Sequence, residues 1–475
     1  MPERRLPAPL AFAAPPLLLA LAGCSSLIPW YDRPAAPIPA SYPQEMTPAA
    51  RAGSVAAGDL EPAQFFADPR LQRLLALALA NNRDLRIAVL NIEQTRALYD
   101  VRRADQLPSI GVGATAARQA AGRGVSTVYA VGFAVTGYEL DLFGRVHNLS
   151  EVALDQYLAT TETRKAVQIS LVGSVATAYL ALLADDELLA VTRQTLATRE
   201  DSTRLTRLRF DNGASSELDY RQSEALLEGA RVALAQSLRQ RALDENALQL
   251  LVGQPLPADL PAPLPLDDRQ ITTDLPAGLP SELLERRPDI RAAEQLLLAA
   301  NANIGAARAA FFPKISLTGN LGTASGELSG LFKSGSFAFT GVAQLLQPLF
   351  DAGRNRANLE VAKVNREIAV AQYEKAIQTA FREVADALAG RATLGEQLRA
   401  QKAQTNALAI TYRLADLRYR AGAASYLDAL DAQRSLFVAQ QALVQTRALQ
   451  LQNLVALYRV LGGGWKDDAT ATAGR

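Results

Sequence analysis

Asp428 and Asp431 stand three residues apart in a Pro-free, Leu- and Ala-rich stretch, so a helix there carries both carboxylates on one face. Two like charges so placed favour a nearby cation and couple their titrations. That is the chemistry of gating and attraction rather than of bond making. The alternative is a helix start whose acids merely cap or solvate it. A catalytic site needs convergent partners, and the chain has one His (His147), one Cys (Cys24) and two Met. That inventory builds neither an intrachain disulfide nor a His/Cys metal site. No Gly-rich phosphate loop occurs either, so neither enzyme activity nor a cofactor is expected. His147 reads as a surface residue. Lys and Arg number 49 against 48 Asp and Glu, so no charge excess draws nucleic acid.

The elements that must hold these acids follow from proline placement. No Pro occurs from Ser109 to Gln254, and none from Leu349 to the end, whereas Pro255, Pro257, Pro261, Pro263, Pro265, Pro276 and Pro280 crowd one segment. Proline in a helix interior costs about 3 kcal/mol. Two long arms therefore flank one irregular linker, and the arms match. Arg209-Phe210-Asp211-Asn212-Gly213 aligns with Arg418-Tyr419-Arg420-Ala421-Gly422, and Asp219 with Asp428. Leu227, Ala230 and Leu234 fall on Leu436, Ala439 and Leu443 in the same register, as Gly144-Arg145 falls on Gly353-Arg354. Upstream the register slips by about four residues, where Asp84-Leu85-Arg86 matches Asp289-Ile290-Arg291 and Pro108-Ser109-Ile110 matches Pro313-Lys314-Ile315. Paired Gly, Pro and Asp at fixed offsets mark a tandem duplication.

Each arm repeats one order of elements. In arm two, Ser281 would cap a helix from Glu282 to Ala310, ended by Pro313. Alternating residues then predict strands near 314–323 and 336–346. A helix from about Asn355 to Ala415 follows, approaching ~90 Å if Gly390 and Gly395 do not break it. A turn at Gly422 and a last helix to Leu461 complete the arm. Arm one predicts a helix near 68–104, strands near 109–118 and 127–139, a helix near 146–208, a turn at Gly213 and a helix near 216–251. The fold class is thus mainly α with a β section. Four strands cannot close a barrel, and open edges do not exist in lipid. Chains must pool strands; three copies supply twelve, enough to leave a lumen, whereas two supply eight, which side chains fill. The same trimer pools its long helices into a tunnel. The alternative is a soluble cap of hairpins on a helical bundle.

Residues 1–23 read as a signal segment: Arg4 and Arg5, then a short apolar run, too short to span a bilayer. Leu21-Ala22-Gly23-Cys24 resembles a bacterial lipobox, which makes Cys24 the lipid attachment site. An Asp after the cysteine tends to retain such a protein at the inner membrane; Ser25 stands here, compatible with the outer membrane. Acyl chains contribute about 0.8 kcal/mol per buried methylene, so several anchor firmly. The layout is then a Pro-rich lipidated tether over 24–60, arm one over 61–253, the linker over 254–281, arm two over 282–463 and a flexible tail over 464–475. Trp30 and Trp465 are candidate interfacial anchors, with ordinary packing as the plainer reading.

Taken in order, several segments resemble the outer-membrane factor family, the TolC-type channels, and especially its lipidated branch. They are the lipobox at Cys24, Glu139-Leu140-Asp141-Leu142-Phe143-Gly144-Arg145, Glu285-Arg286-Arg287-Pro288-Asp289-Ile290, and Phe311-Phe312-Pro313-Lys314-Ile315-Ser316-Leu317. Gln347-Pro348-Leu349-Phe350-Asp351-Ala352-Gly353-Arg354 and the run from Tyr426 to Arg434 complete the set. The resemblance implies a homotrimer, with a twelve-stranded β-barrel in the outer membrane topping a periplasmic α-helical barrel. It implies partnership with a periplasmic adaptor and an inner-membrane efflux pump, expected to be of the resistance–nodulation–division class. The duct itself would be passive. A structural or adaptor coiled-coil lipoprotein is the alternative. Family members close at the periplasmic tip, here the turns at Gly213 and Gly422. By motif position Asp428 and Asp431 match the family's tip aspartates, with Asp219 as the arm-one counterpart. Tyr419 matches a residue that holds the closed state, which implies a Tyr419–Asp219 hydrogen bond or a close equivalent. One departure is Ala424, where the family's best-studied channel has an Arg; Arg418 or Arg420 would have to substitute.

Overall fold

The computed structural model describes residues 26–42, 60–121, 124–271 and 283–464. In chain order these form α1 (Pro62–Phe65), α2 (Pro69–Asn81), α3 (Arg83–Ala104), β1 (Ile110–Ala121), β2 (Gly124–Leu140), α4 (Arg145–Asp211) and α5 (Glu217–Val252). Past the linker come α6 (Leu283–Arg286), α7 (Pro288–Ala309), β3 (Lys314–Ser325), β4 (Phe337–Leu346), α8 (Arg354–Arg420) and α9 (Tyr426–Val460). The order is the doubled helix–hairpin–long helix–helix arm. Cys24, Ser281, Glu282 and Trp465 lie outside the described residues.

The chain divides into two compact units. One contains the sheet, with residues 91–121, 124–161 and 292–375 and the segment 26–35; the other contains 36–42, 60–90, 162–271, 283–291 and 376–464. In the first, four antiparallel strands run in the order β1-β2-β3-β4. Ladder positions place Val112, Phe133, Leu321 and Phe339 directly opposite one another, one row on one face. All four are more than half exposed, from 51% at Leu321 to 75% at Phe339. The neighbouring rows, on the opposite face, are Gly111, Ala134, Asn320 and Thr340, then Gly113, Gly132, Gly322 and Ala338. Side chains alternate across a strand, so one face is apolar and the other small and polar.

Residues 26–33, within the segment read as a tether, are held by side chains of α4 and α7. Ser26 donates to Asn148 Oδ1 (3.1 Å), Arg308 donates to the Leu27 carbonyl (3.1 Å) and Asn301 to the Pro29 carbonyl (2.9 Å). Arg33 grips Glu294 through two nitrogens at 2.6 and 2.5 Å, and Tyr31 donates to the same carboxylate. The prolines deny this segment a helix of its own, so its carbonyls are free to accept from α7.

In the second unit Phe65, Phe66, Leu71, Leu74, Tyr179, Leu180, Leu248 and Tyr458 are all but fully buried, each contributing ~1.5–3 kcal/mol of burial. Phe65 stacks on Tyr458 with ring centres 4.0 Å apart. Buried Asp68 caps α2 by accepting from Arg70 N–H, and also accepts from Tyr179 Oη (2.6 Å) and Leu264 N–H (3.0 Å). One carboxylate thus ties α2, α4 and the linker.

Two helix boundaries differ from the expectation. The helix expected over 68–104 breaks at Asn82, whose side chain caps α3 through Leu85 N–H. The helix expected from Glu282 breaks at the equivalent Arg287, because Pro288 lacks an N–H and biases its predecessor to extended backbone. Buried Arg287 then bonds Asp289 (2.6 Å), Glu383 (2.9 Å) and the Val460 carbonyl. Conversely, α8 runs unbroken through Gly390 and Gly395. Gly390 is there for space: a Cβ would lie 2.2 Å from the Asn453 side chain, which donates to the Ala387 carbonyl.

Candidate gate at the helix tips

The two helical turns have the same backbone. Gly213 and Gly422 carry φ of 69° and 74°, the left-handed region that glycine enters without penalty. Ala214 N–H reaches the Arg209 carbonyl and Ala423 N–H the Arg418 carbonyl, the six-to-one bond that ends a helix on such a glycine. Ser216 and Ser425 then cap α5 and α9. Asp219 and Asp428 complete capping boxes by accepting from those serines' N–H groups at 3.3 and 3.2 Å.

These boxes settle where two of the expected gate acids point. Asp219 and Asp428 are turned to their own helix starts, and the expected Tyr419–Asp219 hydrogen bond is not among the described bonds. The aromatic ring of Tyr419 instead lies under the Arg209 guanidinium, 4.8 Å away, and 5.0 Å from Tyr426. Burial pushes its phenol up from the usual range, against the pull of Arg209. Asp431, exposed one turn along, meets Arg434 at 3.5 Å. Arg420 does not fill in for the missing arginine at Ala424; it pairs back to Asp416 at 2.8 Å.

Three residues that the sequence reading passed over join the arms here. Tyr426 and Ser202 share a hydrogen bond at 3.0 Å. Arg209 covers Tyr419. Arg199, only 5% exposed, donates to the Leu226 carbonyl of α5 (2.9 Å) and lies 5.2 Å from the Phe437 ring of α9. Its Nε has no partner, and burial together with nearby Arg434 pushes its guanidinium below its ordinary value. Thr198, Ser202, Tyr412, Tyr419, Tyr426 and Gln433 line a cavity of about 320 Å³ between α4, α8 and α9. Arg209 and Arg418 are equivalent in the repeat, yet among the described contacts it is Arg209 that faces an aromatic ring of the other arm. His147 is about half exposed, 3.9 Å from Glu151, and Trp30 is 91% exposed. Among the described residues no acid/His/Cys cluster suited to a metal occurs.

Residues 74–254 and 279–463, one stretch per arm, match the outer membrane efflux protein family. The chain belongs to that family. It is 48% identical over 455 residues to the toluene efflux pump outer membrane protein TtgC of Pseudomonas putida, covering 94% of this chain and 93% of that one. It is 46% identical over 466 residues to outer membrane protein OprJ of Pseudomonas aeruginosa, covering 96% and 97%. Among solved structures, the open state of the Neisseria gonorrhoeae MtrE outer membrane channel is similar at TM-score 0.86 and 42% identity, over 93% of this chain and 99% of that one. CusC is similar at 0.83 and 38%, over 93% and 100%. Outer membrane efflux proteins are transport proteins of the outer membrane, and the doubled arm with its two-faced sheet is that family's fold.

Proposed function

We propose that this outer membrane efflux protein is the passive exit duct of a tripartite machine. It works as a homotrimer whose twelve pooled strands close a barrel in the outer membrane, above a barrel of the long helices. A periplasmic adaptor and an inner-membrane pump of the resistance–nodulation–division class deliver cargo to it. The lipid on Cys24 fixes the mature N-terminus to the membrane. The observation that carries the reading is the sheet: an exposed apolar row on one face, small and polar residues on the other, and two edge strands. In lipid such a sheet is stable only when closed, apolar side outward.

Asp428 and Asp431, with Asp219, Tyr419 and the turn glycines Gly213 and Gly422, form the periplasmic gate. Asp431 projects from the tip while Asp428 and Asp219 brace their helix starts, so the acids divide between ring and scaffold. The test is single-channel conductance of purified protein in a planar bilayer, wild type beside Asp428→Ala/Asp431→Ala. Small, rare openings that enlarge in the double variant support duct and gate together. Equal conductance in both removes the gate assignment, and no conductance despite verified insertion removes the duct.

A further inference from the structure

One stripe of α7 is built to carry an extended chain. Glu294, Asn301, Gly305 and Arg308 recur at spacings of seven, four and three residues, which is one face of a helix. The N-terminal segment runs along that face in the opposite direction. Arg33 holds Glu294, the Pro29 carbonyl accepts from Asn301 and the Leu27 carbonyl from Arg308. Ile28 lies over Gly305, where a Cβ would come 2.7 Å from its Cγ1. Ser26 then reaches Asn148 of α4. From Glu294 to Arg308 the helix rises about 21 Å, and the six steps from Leu27 to Arg33 span about 20 Å at full stretch. The segment has no slack, so the contacts at its two ends form and break together.

The floor under this segment holds buried polar atoms that it does not satisfy. Asn148, Asn301 and Tyr373 are 0%, 2% and 0% exposed, yet Asn148 Nδ2, Asn301 Oδ1 and Tyr373 Oη have no hydrogen-bond partner among the described residues. Buried polar atoms are normally paired, so each exception asks for a reason. Tyr373, on α8, supplies the clearest one. Burial and then the Glu294 carboxylate push its phenol up from the ordinary value, while Arg33 pulls the other way. The phenol thus sits in the field of the pair that fastens the segment, and a phenol can donate to a carboxylate. The Arg33 side chain is 49% exposed and that of Glu294 12%. The pair therefore opens from its arginine side and leaves the carboxylate behind in the protein. Unpaired there, it would bear its full desolvation cost.

We propose that residues 26–33 form a releasable strap with two alternative partners for one carboxylate: Arg33 and Tyr31 hold Glu294 when the strap is down, and Tyr373 donates to it when the strap is up. The strap fastens α7 to Asn148 of α4. Because α4 follows β2 and α7 precedes β3, it ties arm one to arm two next to the ends of the two central strands. Tyr373 spares the vacated groove a bare buried charge, which makes the strap-up form a state of the fold rather than a step in unfolding.

The test places a nitroxide on Trp30→Cys, a 91% exposed position, in the purified full-length protein, with the label-treated unsubstituted chain as background. Immobile and mobile components are expected in the spectrum, and Glu294→Gln should raise the mobile fraction severalfold. Tyr373→Phe removes the reserve donor and should lower the mobile fraction roughly threefold; a hydroxyl that served packing alone would leave it unchanged. By circular dichroism, Arg33→Gln should lower the melting temperature of the helices. Tyr373→Phe should deepen that loss while causing none by itself. An unchanged mobile fraction in Tyr373→Phe, or additive melting shifts, overturns the reserve donor. A label equally immobile with Glu294 and with Glu294→Gln overturns the strap itself.

Discussion

The two tips share a backbone and differ in what holds them. The arm-one turn is braced by its own charges. Arg207 bonds Asp211 (3.1 Å) and Tyr220 Oη (3.1 Å), and Arg221 meets Glu217 (3.4 Å) and Glu224 (2.9 Å). In the arm-two turn, Tyr426 takes the position of Glu217 and Ala429 that of Tyr220. Its aromatic side chains reach outward, to Ser202 and Arg209 of α4. Arm one is a self-supporting post; arm two leans on it. Exposed ion pairs add little each and weaken with salt, so the lesson concerns direction rather than strength: the links that would have to part for movement set aromatic rings of arm two against polar and cationic side chains of α4.

The largest effect should come from the turn backbone itself. Gly213→Val and Gly422→Val each force a β-branched residue into the left-handed region, costing about 1–2 kcal/mol. The penalty should be alike in both, whereas bilayer recordings should show more frequent openings only for Gly422→Val. Equal recordings would erase the post-and-lean distinction. Arg199→Met comes next. It removes a cation–π contact with Phe437 worth about 2 kcal/mol when desolvated, but also relieves a buried, unpaired charge. Heat resistance of the trimer should therefore hold or rise while openings become more frequent. A parallel loss of both would mark Arg199 as packing alone. Smaller again, Tyr426→Phe deletes one hydrogen bond, about 1 kcal/mol or roughly a fivefold change in the closed-to-open ratio. Ser202→Ala should do the same, and the double variant no more than either.

A pH effect sharpens the comparison further up the helices. Arm one holds Asp185 and Asp244 where arm two has Leu394 and Asn453. Burial, then a hydrogen bond and repulsion from Asp244, push the Asp185 carboxyl up to about 7. A raised carboxyl stabilises the folded state below its unfolded value near 4, and that contribution is lost as pH climbs through about 7. Heat resistance of the wild-type trimer should thus decline between about pH 4 and pH 7 in a way that Asp185→Asn abolishes. Identical pH profiles would refute it.

Much of this was legible in the sequence. Glycine and proline spacing located both turns, and alternation located all four strands, because those signals are local and each residue reports its own backbone. The breaks at Asn82 and Arg287 were less visible; Pro288 invited a reading as the interior of a helix motif, and Asn82 caps only through its side chain. Gly390 looked like a breaker because a sequence shows missing side chains, not the Asn453 that needs the space. The links made by Arg199, Ser202 and Arg209 join helices some 200 residues apart, and no periodicity encodes such pairs. The capping role of Asp219 and Asp428 was present in the Ser-x-x-Asp spacing, as the plainer alternative to a gate.

The clasp of the N-terminal segment has a consequence in time. Arg33 finds its partner Glu294 261 residues later in the chain, and the Leu27 carbonyl finds Arg308 281 residues later. Contacts of such separation form only after the intervening chain exists and has been ordered. The part of the described chain that is made first is therefore among the last to be seated. Until α7 has followed it, that leading end stays accessible, and its docking records that most of the chain has arrived.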